Sequence, residues 1–285
     1  MDEAFDRPVS RQGTYSAKWD GKINTSPYHL IPLSVADMDL PLPADITSVL
    51  SACTQGGIYG YTVLSEDWQQ CVAGWMRRHY QWSVAPHHVV FCPRVIQAVS
   101  LYIQNFTAPG DAIATLSPTY HPISNAVSVN QRLLLESELR YHAGRYTIDF
   151  IDLEEKFRQA KSFIFLSPHN PTGTIWDRYT LQKIAALAEK HQVFIISDDV
   201  HADFIFTQHQ HQVISTVSDY VKQHSFICTS PAKTFNMAGL EIANIIIAND
   251  KHRKKFQHAL DAAGIHNPGF LAVPAYRLAC QHGDS

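Results

Sequence analysis

From about residue 88 onward the chain alternates short, continuous apolar runs with longer amphipathic stretches. The runs are HVVFC (88–92), AIATL (112–116), SFIFL (162–166), VFIIS (193–197), SFICT (225–229) and NIIIA (244–248). Apolar runs of this length without polar alternation read as buried strands. Between them, TLQKIAALAEKH (180–191) sets Leu181, Ile184, Ala185 and Ala188 on one side at helical spacing, which predicts an amphipathic helix. Strands alternating with helices predict an α/β domain on a mainly parallel sheet. Residues 1 to about 50 break the rhythm with Pro-rich, turn-forming sequence such as LPLPAD (40–45), and read as an arm or part of a second, smaller unit. Residues 51–285 form the large domain on this reading, with a last helix starting near Phe270.

Composition narrows the class. The 285 residues are 45% hydrophobic, which suffices for one large or two modest cores. Basic and acidic residues nearly cancel, at 23 against 26, and argue against a nucleic-acid binder. The one basic run, KHRKK (251–255), follows a candidate cap at Asn249 or Asp250 and reads as a solvated helix face, since no aromatic residue interleaves it. Five scattered cysteines (Cys53, Cys71, Cys92, Cys228, Cys280) without a CxxC pair favour a reducing compartment. The acidic start MDEAFDRPVS leads into no apolar stretch, and no 18-residue apolar run occurs, so a cytoplasmic protein without a membrane span is expected.

Ligands of open α/β sheets sit at the carboxyl ends of the strands. Here those ends carry polar, turn-forming sequence: SPTYHP (117–122), SPHNPTG (167–173), SDDVHADF (197–204) and TSPAKTFN (229–236). Their convergence delivers Tyr120, Asn170, Asp198, His201, Ser230 and Lys233 to one crevice. Lys233 follows a buried strand, where a nucleophilic amine needs help: at an ordinary pKa only about one lysine in 2,500 is neutral at pH 7. An aromatic face, an amide, a carboxylate and a lysine are what pyridoxal phosphate requires, with the carboxylate keeping the pyridine nitrogen protonated. Such a charge pair at about 4 Å is worth roughly 4 kcal/mol at an effective dielectric near 20.

Each residue also has a plainer reading. Asp198 alone could cap a helix, Asn170 is an ordinary turn former, and Tyr120 could be core. Asp198, Asp199 and His201 could together tempt a metal ion, but the remaining ligands are not evident, so no metal is assigned. His209 and His211, in QHQHQ, read as exposed loop residues.

SPHNPTG, SDDVHADF and SPAKTFNMAGL resemble the fold-type I pyridoxal-phosphate enzymes of the class I/II aminotransferase superfamily. In combination with YSAKWD (15–20), VADMD (35–39), YGY (59–61) and SPTYHP, they are similar to the cystathionine β-lyase or C–S lyase branch, the MalY/PatB group. The resemblance runs from about residue 5 to the end, with the motifs in the family's order. It implies the aspartate-aminotransferase-like large domain, with Lys233 as the cofactor-bearing lysine and the base that moves the substrate's α-proton. It further implies that Asp198 pairs with the pyridinium nitrogen, Asn170 bonds the phenolic oxygen and Tyr120 stacks on the ring, with His201 beside them. Ser230 and the backbone N–H groups of Val95 and Ile96 would hold the phosphate, and Tyr61 would reach it from a neighbouring subunit, implying a homodimer. Val35, Ala36 and Asp37 would lie beside the substrate.

Three departures accompany the resemblance. Asp199 stands where the family has glutamate. Glu241, eight residues after the lysine, stands where many transaminases carry a phosphate-gripping arginine, and is expected to point elsewhere. The family's C-terminal small domain, with the arginine that clamps the substrate carboxylate, is expected to be missing; Arg253 and Arg277 lie outside the matching motif. The activity implied is carbon–sulfur β-elimination from an L-cystathionine-like cysteine S-conjugate, giving thiol, pyruvate and ammonia. A transaminase and an inactive, truncated cofactor-binding protein are the competing readings.

Overall fold

The computed structural model describes residues 9–21 and 30–276. Arg277 and Cys280 lie outside the described residues. Five of the six apolar runs become the strands β1 (Val89–Cys92), β2 (Ala112–Ser117), β6 (Ala160–Leu166), β7 (Phe194–Asp198) and β8 (Ser225–Thr229). The sixth becomes β9 (Ala243–Ile246). One strand that the pattern did not announce, β3 (Leu133–Glu138), completes a seven-stranded sheet in the order β1-β9-β8-β7-β6-β2-β3. The run from β8 through β7, β6 and β2 to β3 is parallel, whereas β9 is antiparallel to both β8 and β1. A separate hairpin pairs β4 (Arg140–His142) with β5 (Arg145–Thr147).

Strand side chains alternate between faces, so each buried strand feeds two cores. On one face Phe163, Phe165, Ile195 and Ile227 pack with residues of α2 (Glu66–Tyr80), α5 (Phe150–Phe157), α6 (Arg178–His191) and α7 (Asp219–Gln223). On the other, Ile164, Ile196, Phe226 and Cys228 pack with α3 (Val95–Phe106), α4 (His121–Val129) and α9 (Asp250–Ala262). A fully buried Phe stabilises by roughly 1.5–3 kcal/mol, so the wholly buried strands β7 and β8, with β6 buried from Ser162 to Leu166, anchor the layers. The helix predicted over 180–191 begins at Arg178, where the Asp177 side chain accepts the Thr180 N–H. Asn249 is the cap of α9, accepting from the Lys251 and His252 N–H groups.

Before the sheet, α1 (Ala44–Gln55) runs across position 50, so the division between arm and large domain falls within a helix. The expected last helix begins at Ala272, just past Phe270. Among the described residues no helix is long and apolar enough to cross a membrane.

Candidate functional site

Strands β1, β2, β6, β7 and β8 point the same way, so their carboxyl ends share one edge of the sheet. To that edge β1 brings the start of α3 at Val95 and Ile96, and β2 brings Tyr120, the residue preceding α4. Asn170 follows β6, Asp198 ends β7 with His201 just beyond, and β8 leads through Ser230 into α8 (Pro231–Thr234), which carries Lys233.

Asp198 is 7% exposed. Its position in β7 turns it toward the α3 and α4 layer, with Phe194 and Ile196. Among the described residues the one hydrogen bond that its carboxylate accepts comes from the Val200 N–H at 3.2 Å. Burial pushes its carboxyl up to about 7; the Val200 N–H pulls it back, the Asp199 charge adds to the rise, and Lys233 opposes it. Lys233 also helps burial to hold His201 below its usual value, and the Asp198 charge adds to burial in raising Tyr120. Lys233 therefore lies within electrostatic reach of Asp198 and His201, and Asp198 within reach of Tyr120. Tyr120, 40% exposed, keeps ring surface for a ligand.

The expected phosphate end is assembled differently from the ring end. Ser230 is the cap of α8: its hydroxyl accepts from the Ala232 N–H at 3.1 Å and donates to the Ile242 carbonyl at 2.6 Å. Reaching a phosphate would take that proton from Ile242. The cap position of α3 is Arg94, whose side chain caps no N–H, leaving the Val95 and Ile96 amides at a free helix start. Glu241 forms an ion pair with Arg94, the residue that precedes Val95. Tyr61 is 99% exposed.

Val35, Ala36 and Asp37 belong to a segment held against the lysine turn by Asn236. The Asn236 side chain accepts the Met38 N–H at 3.0 Å and donates to the Met38 and Leu40 carbonyls, both at 2.9 Å. Its φ of 49° is a left-handed conformation that asparagine tolerates better than most residues. Asp37 pairs with Arg11 at 2.8 Å, and its carbonyl accepts from Lys18 Nζ at 2.9 Å. A cavity of about 350 Å³ lies between this segment and the residues following Asn236.

Two side chains that carry the site's support were not singled out by sequence. Asp203 accepts hydrogen bonds from Trp75 Nε1, from the Tyr80 hydroxyl and from the Thr234 hydroxyl, and so ties the residue next to Lys233 to α2. Its signal was its place in SDDVHADF, which only the fold makes meaningful. His211 corrects an expectation: it is not an exposed loop residue but 4% exposed, with Nε2 2.8 Å from Asp199 Oδ2. The carboxylate partner compensates a polar ring inside an apolar layer. His209 is exposed. No group of three or more His, Cys, Asp or Glu among the described residues is arranged to hold a metal ion.

The set fits pyridoxal phosphate. A buried carboxylate with, among the described residues, a single N–H donor and no ion pair calls for a cation, and a protonated ring nitrogen is one. The amine, the partly exposed aromatic ring and the free helix start stand on the same edge.

Comparison with known proteins agrees. The family model described as aminotransferase class I and II matches residues 28–273. Cystathionine beta-lyase PatB of Bacillus subtilis is 37% identical over 98% of this chain and 73% of its own length. Cystalysin from Treponema denticola, whose crystal structure contains a pyridoxal 5′-phosphate cofactor, superposes with a TM-score of 0.93 at 32% identity, covering 98% of this chain and 72% of that one. The pyridoxal-phosphate-bound C–S lyase of Staphylococcus hominis gives a TM-score of 0.91 at 26% identity, covering 98% and 71%.

Proposed function

We propose that this chain, which belongs to the aminotransferase class I and II family, is a pyridoxal-phosphate-dependent carbon–sulfur β-lyase acting on L-cystathionine or related cysteine S-conjugates. The observation that carries the reading is the buried, unpaired Asp198 within the field of Lys233 at the end of β7. When bound, the cofactor supplies an electron-withdrawing ring that takes up the electron pair left on the substrate's Cα. Asp198 would hold the proton of the ring nitrogen, Asn170 would donate to the phenolic oxygen, and Tyr120 would cover the ring face. His201 would stand beside that ring, and the amides of Val95 and Ile96, with Ser230, would hold the phosphate.

Lys233 acts as the base. Its neutral amine takes the proton from Cα, the Cβ–S bond breaks as the Cα–Cβ double bond forms, and the departing sulfur takes up a proton as thiol. The released 2-aminoacrylate takes up water and gives pyruvate and ammonia. Val35, Ala36 and Asp37, held by Asn236, would border the substrate. Glu241, where many transaminases carry a phosphate-gripping arginine, favours the lyase.

The partner in this reading is a second copy of the chain. Ile58, Tyr59, Tyr61 and Val63 are 66–99% exposed within one short stretch, an apolar surface suited to burial against protein. Tyr61 would then serve the neighbouring site. Residues 51–285 would be the cofactor-binding domain, and residues 1–50 an arm and part of a small domain. Free Cys53, Cys92 and Cys228 suit a reducing cytoplasm.

Incubation of the holo-protein with L-cystathionine tests the proposal. Homocysteine thiol and pyruvate appearing one to one support it. A keto acid without thiol, with the cofactor left as its pyridoxamine form, would identify a transaminase, and no product would remove both readings.

A further inference from the structure

Asp198 ends β7 and Asp199 follows it; both are buried, Asp198 on the face of Phe194 and Ile196 and Asp199 beside Tyr80 of α2. Asp198 faces the proposed cofactor. Asp199 faces the α2 and α6 layer, where both of its oxygens are occupied: Oδ1 accepts from the Ser197 hydroxyl, and Oδ2 accepts from His211 Nε2 at 2.8 Å. The two side chains of the Asp199–His211 pair are 1% and 2% exposed. The Tyr80 ring meets the His211 ring edge-on at 5.3 Å, closing the site from α2. His211 Nδ1 has no hydrogen-bond partner among the described residues. The tautomer that satisfies the geometry thus puts a proton on Nε2, pointing at Asp199.

An uncompensated negative charge next to Asp198 works against the cofactor. It repels charge on Asp198 more strongly than it attracts the more distant ring nitrogen, and so drives the proton from the ring to the carboxylate. Something must hold the Asp199 charge in check. Resting on the cofactor reading above, we propose that His211 is a positioning residue that offsets the Asp199 carboxylate, so that Asp198 stays ionised and the cofactor's ring nitrogen keeps its proton. The Ser197 hydroxyl shares the task from the other oxygen. Without His211 the Asp199 charge would lose one of its two side-chain partners, and the ring would become a poorer electron sink.

The test reads the ring nitrogen itself, in holo-protein loaded with pyridoxal phosphate labelled with nitrogen-15 on the ring. His211→Leu is expected to move that resonance downfield, toward unprotonated pyridine. His211→Gln, which keeps an N–H donor, is expected to leave it near its original position and also covers the case in which the leucine variant does not fold. In an Asp199→Asn background there is no charge to offset, so His211→Leu is expected to have no effect, giving a large coupling in the double-mutant cycle. An unmoved resonance in His211→Leu, a glutamine variant as shifted as the leucine one, or equal shifts in both backgrounds would each overturn the proposal. Loss of thiol release with this nitrogen response intact would overturn only the lyase reading. No bound ring signal in the unaltered protein would overturn the proposal together with the cofactor reading.

Discussion

The end of β7 and residues 9–21 and 30–42 flank the same lysine turn but are secured by different forces. Behind the β7 end stand Phe163, Phe165, Ile195, Ile196, Phe226 and Ile227, all nearly inaccessible to solvent and divided between two cores. The N-terminal segment is fastened chiefly by charge: Lys18 to Asp39 at 2.9 Å, Arg11 to Asp37 at 2.8 Å and Trp19 Nε1 to Asp39 at 2.8 Å. One side of the site thus rests on close packing, which is insensitive to salt. The other rests on partly buried ion pairs that salt and single substitutions can loosen.

The contrast is strongest at the lysine itself. Lys233→Ala removes the base from the rigid side and is expected to lower thiol release from L-cystathionine by at least about 10³-fold, with an unchanged melting profile. Kinetics and calorimetry on the same sample check both halves.

Packing behind β7 is expected to show the next largest effect. Phe226→Ala empties a position that is 0% exposed and should cost about 3–5 kcal/mol in urea unfolding.

Asp198 adds a pH dependence that belongs only to the packed side. With its folded-state value raised to about 7, the cofactor-free protein holds a proton there that the unfolded chain has released. Stability is therefore unaffected by this group below about pH 4, falls as pH rises from there, and levels off above about pH 7. Asp198→Asn should remove that slope and stabilise the cofactor-free protein at pH 8, on the order of 4 kcal/mol, with little difference at pH 4. Thermal melts across that range provide the check.

On the charged side, Lys18→Met leaves Asp39 with Arg11 and Trp19 and is expected to cost about 1–2 kcal/mol. Limited proteolysis of residues 9–21 should accelerate, and more so in high salt, while the sheet stays protected.

Legibility in the sequence follows the same division. Strands β6, β7 and β8 announce themselves because they are apolar on both faces, and their turn-rich ends place Asn170, Asp198 and Lys233. β3 does not announce itself, because as an edge strand it leaves most of its side chains partly or fully exposed. His211 was misread because its polar neighbours suggested solvent, whereas its burial depends on a carboxylate twelve positions earlier. Asp203 and Asn236 tie α2 and residues 38–40 to the lysine turn, and such contacts between distant segments leave no local pattern to read. Apolar periodicity conveys the scaffold, while the polar ties that orient the chemistry emerge only once the chain has folded.

The decisive experiment is borohydride reduction of the holo-protein followed by peptide mapping. If the strand ends build the site described, the cofactor's mass is found on the peptide carrying Lys233 and is absent from Lys233→Ala. Label on another lysine, such as the buried Lys18, or no covalent label at all, would contradict it.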